Sequence, residues 1–158
     1  MKNIKNKGFT AVEILVVISI MIVLSAIVLP SMSRFRNERT LGNTAEDIVT
    51  ILNKARNDTI GSLNSYAYGV HVATNSVTYF IAPTYSSGAS TNSVTSLDPN
   101  VTIPASGGIN LNGGGSDVVF TRLTGDTTSY GTIVVQLTSD STHQKTITIN
   151  KTGVASSN

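Results

Sequence analysis

Histidine is the side chain best suited to proton transfer near neutral pH, and this chain of 158 residues has two, His71 and His143. His71 falls in an alternating stretch, YAYGVHV, and His143 in the polar turn TSDSTHQ. Their placement marks neither a metal-ligand pair nor a catalytic one. Asp98, Asp117, Asp126 and Asp140 stand at turns or strand starts, where a carboxylate commonly accepts from nearby backbone amides. The run GGGSD at 113–117 has the glycines of a phosphate cradle, but no Lys-Ser/Thr follows and no helix opens. Cysteine is absent, so disulfides, thiolate metal clusters and a thiol nucleophile are excluded. No nucleophile stands beside a base. The chain is therefore expected not to be an enzyme and to use neither cofactor nor metal.

One carboxylate is out of place in a different way. Between Phe9 and Leu29 lie 21 residues whose only charge is Glu13. As a helix this run would extend about 31 Å, the thickness of a hydrocarbon core. A charge in such a segment costs several kcal/mol unless it faces a partner. From the carboxylate alone two readings stand level: a Glu reaching toward the interface of an ordinary anchor, or a functional group awaiting a partner. Lys2, Lys5 and Lys7 precede the run, and Arg34, Arg36 and Arg39 follow it, tempered by Glu38. Without the three leading lysines, eight basic side chains face nine acidic ones, so the basic balance belongs to the leader. The expectation is a retained single-pass anchor in the cytoplasmic (inner) membrane, with a cytoplasmic N-terminus and an extracytoplasmic body.

The stretch KGFTAVEILVVISIMIVLSAIVLP, with its basic leader, Gly8, Phe9-Thr10, Glu13 and Pro30, resembles the class III signal of type IV pilins and type II secretion pseudopilins. The resemblance implies cleavage between Gly8 and Phe9 by a prepilin peptidase, and N-methylation of Phe9 by the same enzyme. It implies that Glu13 pairs with the freed amine of a neighbouring subunit, and that Pro30 loosens the helix. Ala11 and Val12 stand where Leu and Ile are more usual. The chemistry agrees: an unpaired buried charge is costly, and a paired one fixes register.

Beyond Pro30, whose missing amide predicts a kink, Leu41, Ala45, Ile48, Leu52 and Ala55 form one apolar stripe at 4-3-4-3 spacing. A single helix is expected from Phe9 to Ile60, stopped at Gly61. The run NTAEDIVTILNKARNDTIGS, with Ala55, Arg56 and Ile60 near its end, resembles the post-anchor helix of GspH/FimT-type minor pseudopilins. After Gly61 the period becomes 2. YAYGVHV places Tyr66, Tyr68, Val70 and Val72 on one face, and VTYFIA follows. Residues 85–116 are rich in Ser, Gly, Asn and Thr, with short candidates at Val101–Ile103 and Ile109–Leu111. DVVFTRL resumes strand character, and GTIVVQL and KTITIN read as a hairpin. Phe120, Gly125 and the late Gly153 are similar in order to the GspH/FimT domain. Some of its relatives carry a basic DNA-binding motif near that glycine. Only Lys151 precedes Gly153 here and no Arg follows, so DNA binding is not carried over.

The expected fold class is α+β, a long N-terminal helix packed on an antiparallel β-domain. The expected organisation is a cleaved leader at 1–8, a transmembrane and assembly helix at 9–29, an amphipathic continuation at 30–61 and a β-rich domain at 62–158. The partners implied are the prepilin peptidase, other pilin or pseudopilin subunits, an inner-membrane assembly platform and membrane lipid. The alternative is a membrane-anchored extracytoplasmic binding module that does not polymerise.

Overall fold

The computed structural model describes residues 8–158, and at 27–31 the helical backbone without side chains. The chain divides into two compact units, Met1–Arg36 and Asn37–Asn158. One α-helix, α1 (Ala11–Ile60), contributes to both. Of the expected leader, residues 1–7 lie outside the described residues.

In the first unit α1 begins at Ala11, two residues later than expected, because Thr10 caps it. Its Oγ1 accepts from the Glu13 amide at 3.2 Å and its carbonyl accepts from the Ile14 amide at 3.2 Å. Thr-x-x-Glu at a helix start is the capping-box pattern, and an acidic side chain in the first turn complements the helix dipole. The expectation of a membrane-spanning anchor is corrected. Among the described residues no helix is long and apolar enough to cross a membrane. Side chains of the apolar run are described in the helix from Ala11 to Ala26, and such a stretch reaches about 24 Å, short of a hydrocarbon core of about 30 Å. Helical backbone continues through position 30. The expected kink at Pro30 concerns residues 27–31 and lies outside the described side chains.

In the second unit the predicted stripe is the buried face of α1. Leu41, Ala45, Ile48, Leu52 and Ala55 are all below 5% exposed, joined by Val49 and by the hydroxyl-bearing Thr44 and Thr59. Ile48 and Leu52, fully enclosed, each contribute roughly 1.5–3 kcal/mol. The helix stops at Gly61, whose amide donates to the Asn57 carbonyl at 2.9 Å. A single 3-10 turn at Leu63–Ser65 then redirects the chain.

Two antiparallel sheets follow. The first is ordered β3-β2-β1-β6, from β1 (Tyr68–Ala73), β2 (Ser76–Ile81), β3 (Ser93–Ser96) and β6 (Asp117–Val119). The second is ordered β4-β7-β8-β9, from β4 (Val101–Thr102), β7 (Gly131–Leu137), β8 (Gln144–Ile149) and β9 (Ala155–Ser157). In it β5 (Ile109–Leu111) also pairs with β7. One edge of β7 is shared end to end: Val101 faces Leu137 near one end, and Ile109 faces Ile133 nearer the other. The β7–β8 hairpin puts Ile133 opposite Ile147, and both are fully buried. Side chains of α1 and of both sheets belong to one hydrophobic cluster. The fold is α+β, as expected.

Three elements differ from expectation. Tyr66 precedes β1 instead of sharing its buried face, and is 50% exposed. Strands β3 and β9 form where none was expected. Their sequences, SVTS and ASS, carry no apolar alternation, so only pairing with a neighbour reveals them as strands.

Candidate functional site

The residues singled out by the sequence lie at the start of α1. Gly8 is exposed, and a Cβ built on it would meet nothing within 4 Å. Phe9 is 80% exposed. Glu13 is exposed, in the first turn. From Phe9 to Leu24 large apolar side chains are exposed on every side of the helix, among them Val12, Ile14, Leu15, Ile18 and Met21. One shallow cavity of about 250 Å3 lies along this surface, lined by Ser19, Ile20, Val23 and Leu24. Ser19 makes it possible by folding its hydroxyl back onto the Leu15 carbonyl at 2.8 Å, which leaves a small, neutral surface between larger side chains. A helix that is apolar all round is a helix that something else covers.

The other end of α1 is locked onto the second unit. Arg56 Nε donates to the Thr152 carbonyl at 2.8 Å. Its aliphatic stem and Ile60 lie over Gly125, and the same stem touches Gly153. A Cβ on Gly153 would come within 2.0 Å of the Gly125 carbonyl oxygen and 3.0 Å of the Phe120 ring. Ala55, Arg56, Ile60, Phe120, Gly125 and Gly153 are scattered through the sequence, yet five of them meet at this junction and Ala55 is buried one residue away. Nearby, Thr59 Oγ1 donates to the Ala55 carbonyl at 2.7 Å and accepts from the Tyr68 amide at 2.9 Å, tying the last helical turn to β1.

A charged brace reinforces that tie. Tyr79 Oη donates to Asp58 Oδ2 at 2.8 Å, Lys54 Nζ reaches the same oxygen at 2.8 Å, and Lys54 also lies 4.0 Å over the Tyr79 ring. Burial opposes ionisation of Asp58, but the hydrogen bonds from Lys54 and Tyr79 and the Lys54 charge outweigh it and hold its pKa below the ordinary value. Burial, then the Asp58 carboxylate, pushes the Tyr79 phenol well above its ordinary range. Tyr79 remains a neutral donor.

The two histidines sit in separate settings. His71 on β1 donates from Nδ1 to Asp117 Oδ1 on β6 at 2.6 Å, directly across the strand pair. Tyr85 stacks on its ring at 3.8 Å, nearly parallel, and meets Phe80 edge-on. The row Thr78–His71–Asp117 across β2, β1 and β6 has the residue types of a proton relay. However, Thr78 is 2% exposed, so no substrate reaches its hydroxyl. Through the stacked ring of Tyr85 the row also contacts the segment that follows β2. His143 lies in the β7–β8 turn with Asp140 at 3.0 Å and Glu38 at 3.7 Å. Hydrogen bonds from the Thr142 hydroxyl and amide, aided by His143, lower the Asp140 pKa. Among the described residues no group of three or more His, Asp and Glu could hold a metal ion.

Sequence reasoning missed a groove in the second unit. Between α1 and the segment that begins on β3 runs a groove of about 340 Å3. Its lining includes Asp47 from the helix and Asp98 from the facing segment, Thr44, and the apolar Ile48, Ile51 and Leu97. The sequence signal was faint: Asp47 reads as helix surface and Asp98 as a turn carboxylate. Comparison with family models, curated proteins and solved structures finds no match to this chain.

Proposed function

We propose that the chain is a prepilin-like structural subunit, of the minor pilin or pseudopilin kind, that assembles into a filament through the N-terminal part of α1. The observation that carries the reading is the exposure of Phe9, just ahead of α1, and of Val12, Leu15 and Met21 on it, at 65–80%, with a single carboxylate in the helix's first turn. An apolar surface this continuous marks an interaction site, and helices of neighbouring copies are the cover that fits it. The cap at Thr10 keeps the helix ordered to its first turn. Gly8, exposed and without neighbours, is open to a peptidase groove. After a cut there, the new Phe9 amine is the cation that Glu13 of a neighbouring copy lacks. In this reading the second unit is the variable part of the subunit, braced at Gly125 and Gly153. Whether the filament serves secretion, adhesion, motility or DNA uptake is a separate property of its machine.

The test is processing. Co-expressed with a prepilin peptidase, the chain is expected to lose Met1–Gly8 and gain a methyl group on Phe9, read by mass spectrometry of the intact protein. Gly8→Trp should abolish both changes. A chain that is never cut, or that is cut equally well as Gly8→Trp, refutes the processing step and with it the source of the partner for Glu13.

A further inference from the structure

The groove between α1 and the β3 edge lies within the second unit, away from the N-terminal part of α1, and its chemistry is unused by anything above. Charge supplies the first reason to regard it as a site. Asp47 makes no ion pair among the described residues, and Asp98 spends one oxygen on the Asn100 amide and side chain. The lining contains no Lys or Arg, so two carboxylates face the space uncompensated. The second reason is the wall itself. β3 is the outermost strand of its sheet, pairs only with β2 among the described residues, and is exposed along its whole length. An edge of this kind presents free backbone donors and acceptors to an extended chain. Thr44 adds a third. It is 5% exposed, it lines the groove, and no side-chain hydrogen bond ties its hydroxyl to the rest of the second unit. A hydroxyl so placed is available to a group that enters the groove.

The geometry points to a binding site for an extended polypeptide segment that carries an arginine or lysine. The segment adds along β3. Its basic side chain enters the groove, lays its aliphatic stem on Ile48, Ile51 and Leu97, and brings its cation to Asp47 and Asp98 with the Thr44 hydroxyl as a further acceptor. A long side chain with an apolar stem and a charged, donor-rich head matches a lining that combines apolar and acidic side chains. The free strand edge selects a polypeptide over a small free cation.

The experiment titrates the full chain with the acetylated, amidated peptide Thr-Val-Arg-Val-Thr and follows the protein's backbone amide resonances. Saturable shifts are expected at residues 40–51 and 93–98. The same peptide with citrulline in place of arginine, equal in shape but uncharged, should bind about tenfold more weakly. Asp47→Asn and Asp98→Asn should each weaken the arginine peptide several-fold, and added salt should weaken it further. Asn at 98 keeps an acceptor for the Asn100 amide, so the turn survives. Thr44→Val should fold normally yet bind the peptide more weakly. Equal binding of the citrulline peptide, indifference to both Asp variants, or no saturable shift overturns the proposal. So does spermidine or calcium saturating the same amides at lower concentration than the peptide, which would make the site one for a free cation.

Discussion

Replacing Gly153 by alanine tests whether the junction at the end of α1 holds the second unit together, and Gly114 provides an internal control. The two glycines have almost the same backbone conformation, φ +76° and +74°. Alanine at either position carries the left-handed penalty of roughly 1–2 kcal/mol, and both gain equally from a less flexible unfolded chain. They differ in surroundings. A Cβ at Gly114 meets nothing within 4 Å, whereas at Gly153 it meets the Gly125 carbonyl oxygen at 2.0 Å. Real Cβ contacts essentially never fall below 3.0 Å, so one of two backbone segments must retreat by about 1 Å. Gly125 cannot retreat freely, because Ile60 and Arg56 also pack against it. Overpacking of this kind costs about 1–3 kcal/mol. Gly153→Ala is thus expected to destabilise by about 3 kcal/mol and Gly114→Ala by about 1. Thermal unfolding followed by near-ultraviolet circular dichroism should show a Tm drop of about 12 °C for the first and a few degrees for the second. If Gly153→Ala costs no more than Gly114→Ala, the close approach of the two glycine segments is not a structural constraint, and the argument for the junction fails.

Glu13→Gln separates the local role of that residue from its role between subunits. Glutamine also serves at the third position of a capping box, and only the dipole term of about 0.3–1 kcal/mol is lost. Helicity should barely change, while removal of one partner from a buried ion pair should cost about 3–5 kcal/mol of association, a hundredfold or more in assembly measured by sedimentation. Filaments that form equally well with the Glu13→Gln variant would leave Glu13 as a helix cap and nothing more. The Asp58 brace predicts an acid dependence. Its folded pKa lies below the ordinary carboxylate value, so the unfolded chain binds its proton first and stability falls with falling pH. The advantage of wild type over Asp58→Asn should be full at neutral pH and should shrink once pH drops below about 4. A difference that stays constant through that range in urea denaturation would show that the carboxylate charge contributes nothing.

Much of the second unit was legible because its core repeats. The spacing 41-45-48-52-55 marks one helical face, and each of those residues is buried. Ile133, Val135 and Leu137 alternate along β7 in the same way, with Ile147 and Ile149 on β8. Periodicity fails where the chain is polar. SVTS and ASS are strands only because β2 and β8 offer them a free edge, and nothing in either short run announces that neighbour. Pairs such as His71–Asp117 and Tyr79–Asp58 are separated by 46 and 21 residues, and their meeting depends on register, which no local pattern encodes. Gly125 and Gly153 could be picked out as glycines, but the reason for them emerges only once α1 lies across both: a side chain at Gly153 would run into the Gly125 carbonyl, and one at Gly125 into Ile60 and Arg56.

The apolar run at Phe9–Leu29 misled for a related reason. Hydropathy measures how strongly a surface avoids water, and lipid and neighbouring helices satisfy that avoidance equally. The length and apolarity of the run, with basic residues at both ends, suggested a bilayer. The Thr10–Glu13 cap lies at its start, and Thr-x-x-Glu is a local pattern as readable as any stripe. That cap bears on assembly. Thr10 Oγ1 takes the Glu13 amide, and in the proposed assembly the Glu13 carboxylate is the group that meets a cation brought by another chain. The same carboxylate can serve folding of the single chain and register between chains, and only a substitution that keeps the cap while removing the charge distinguishes them.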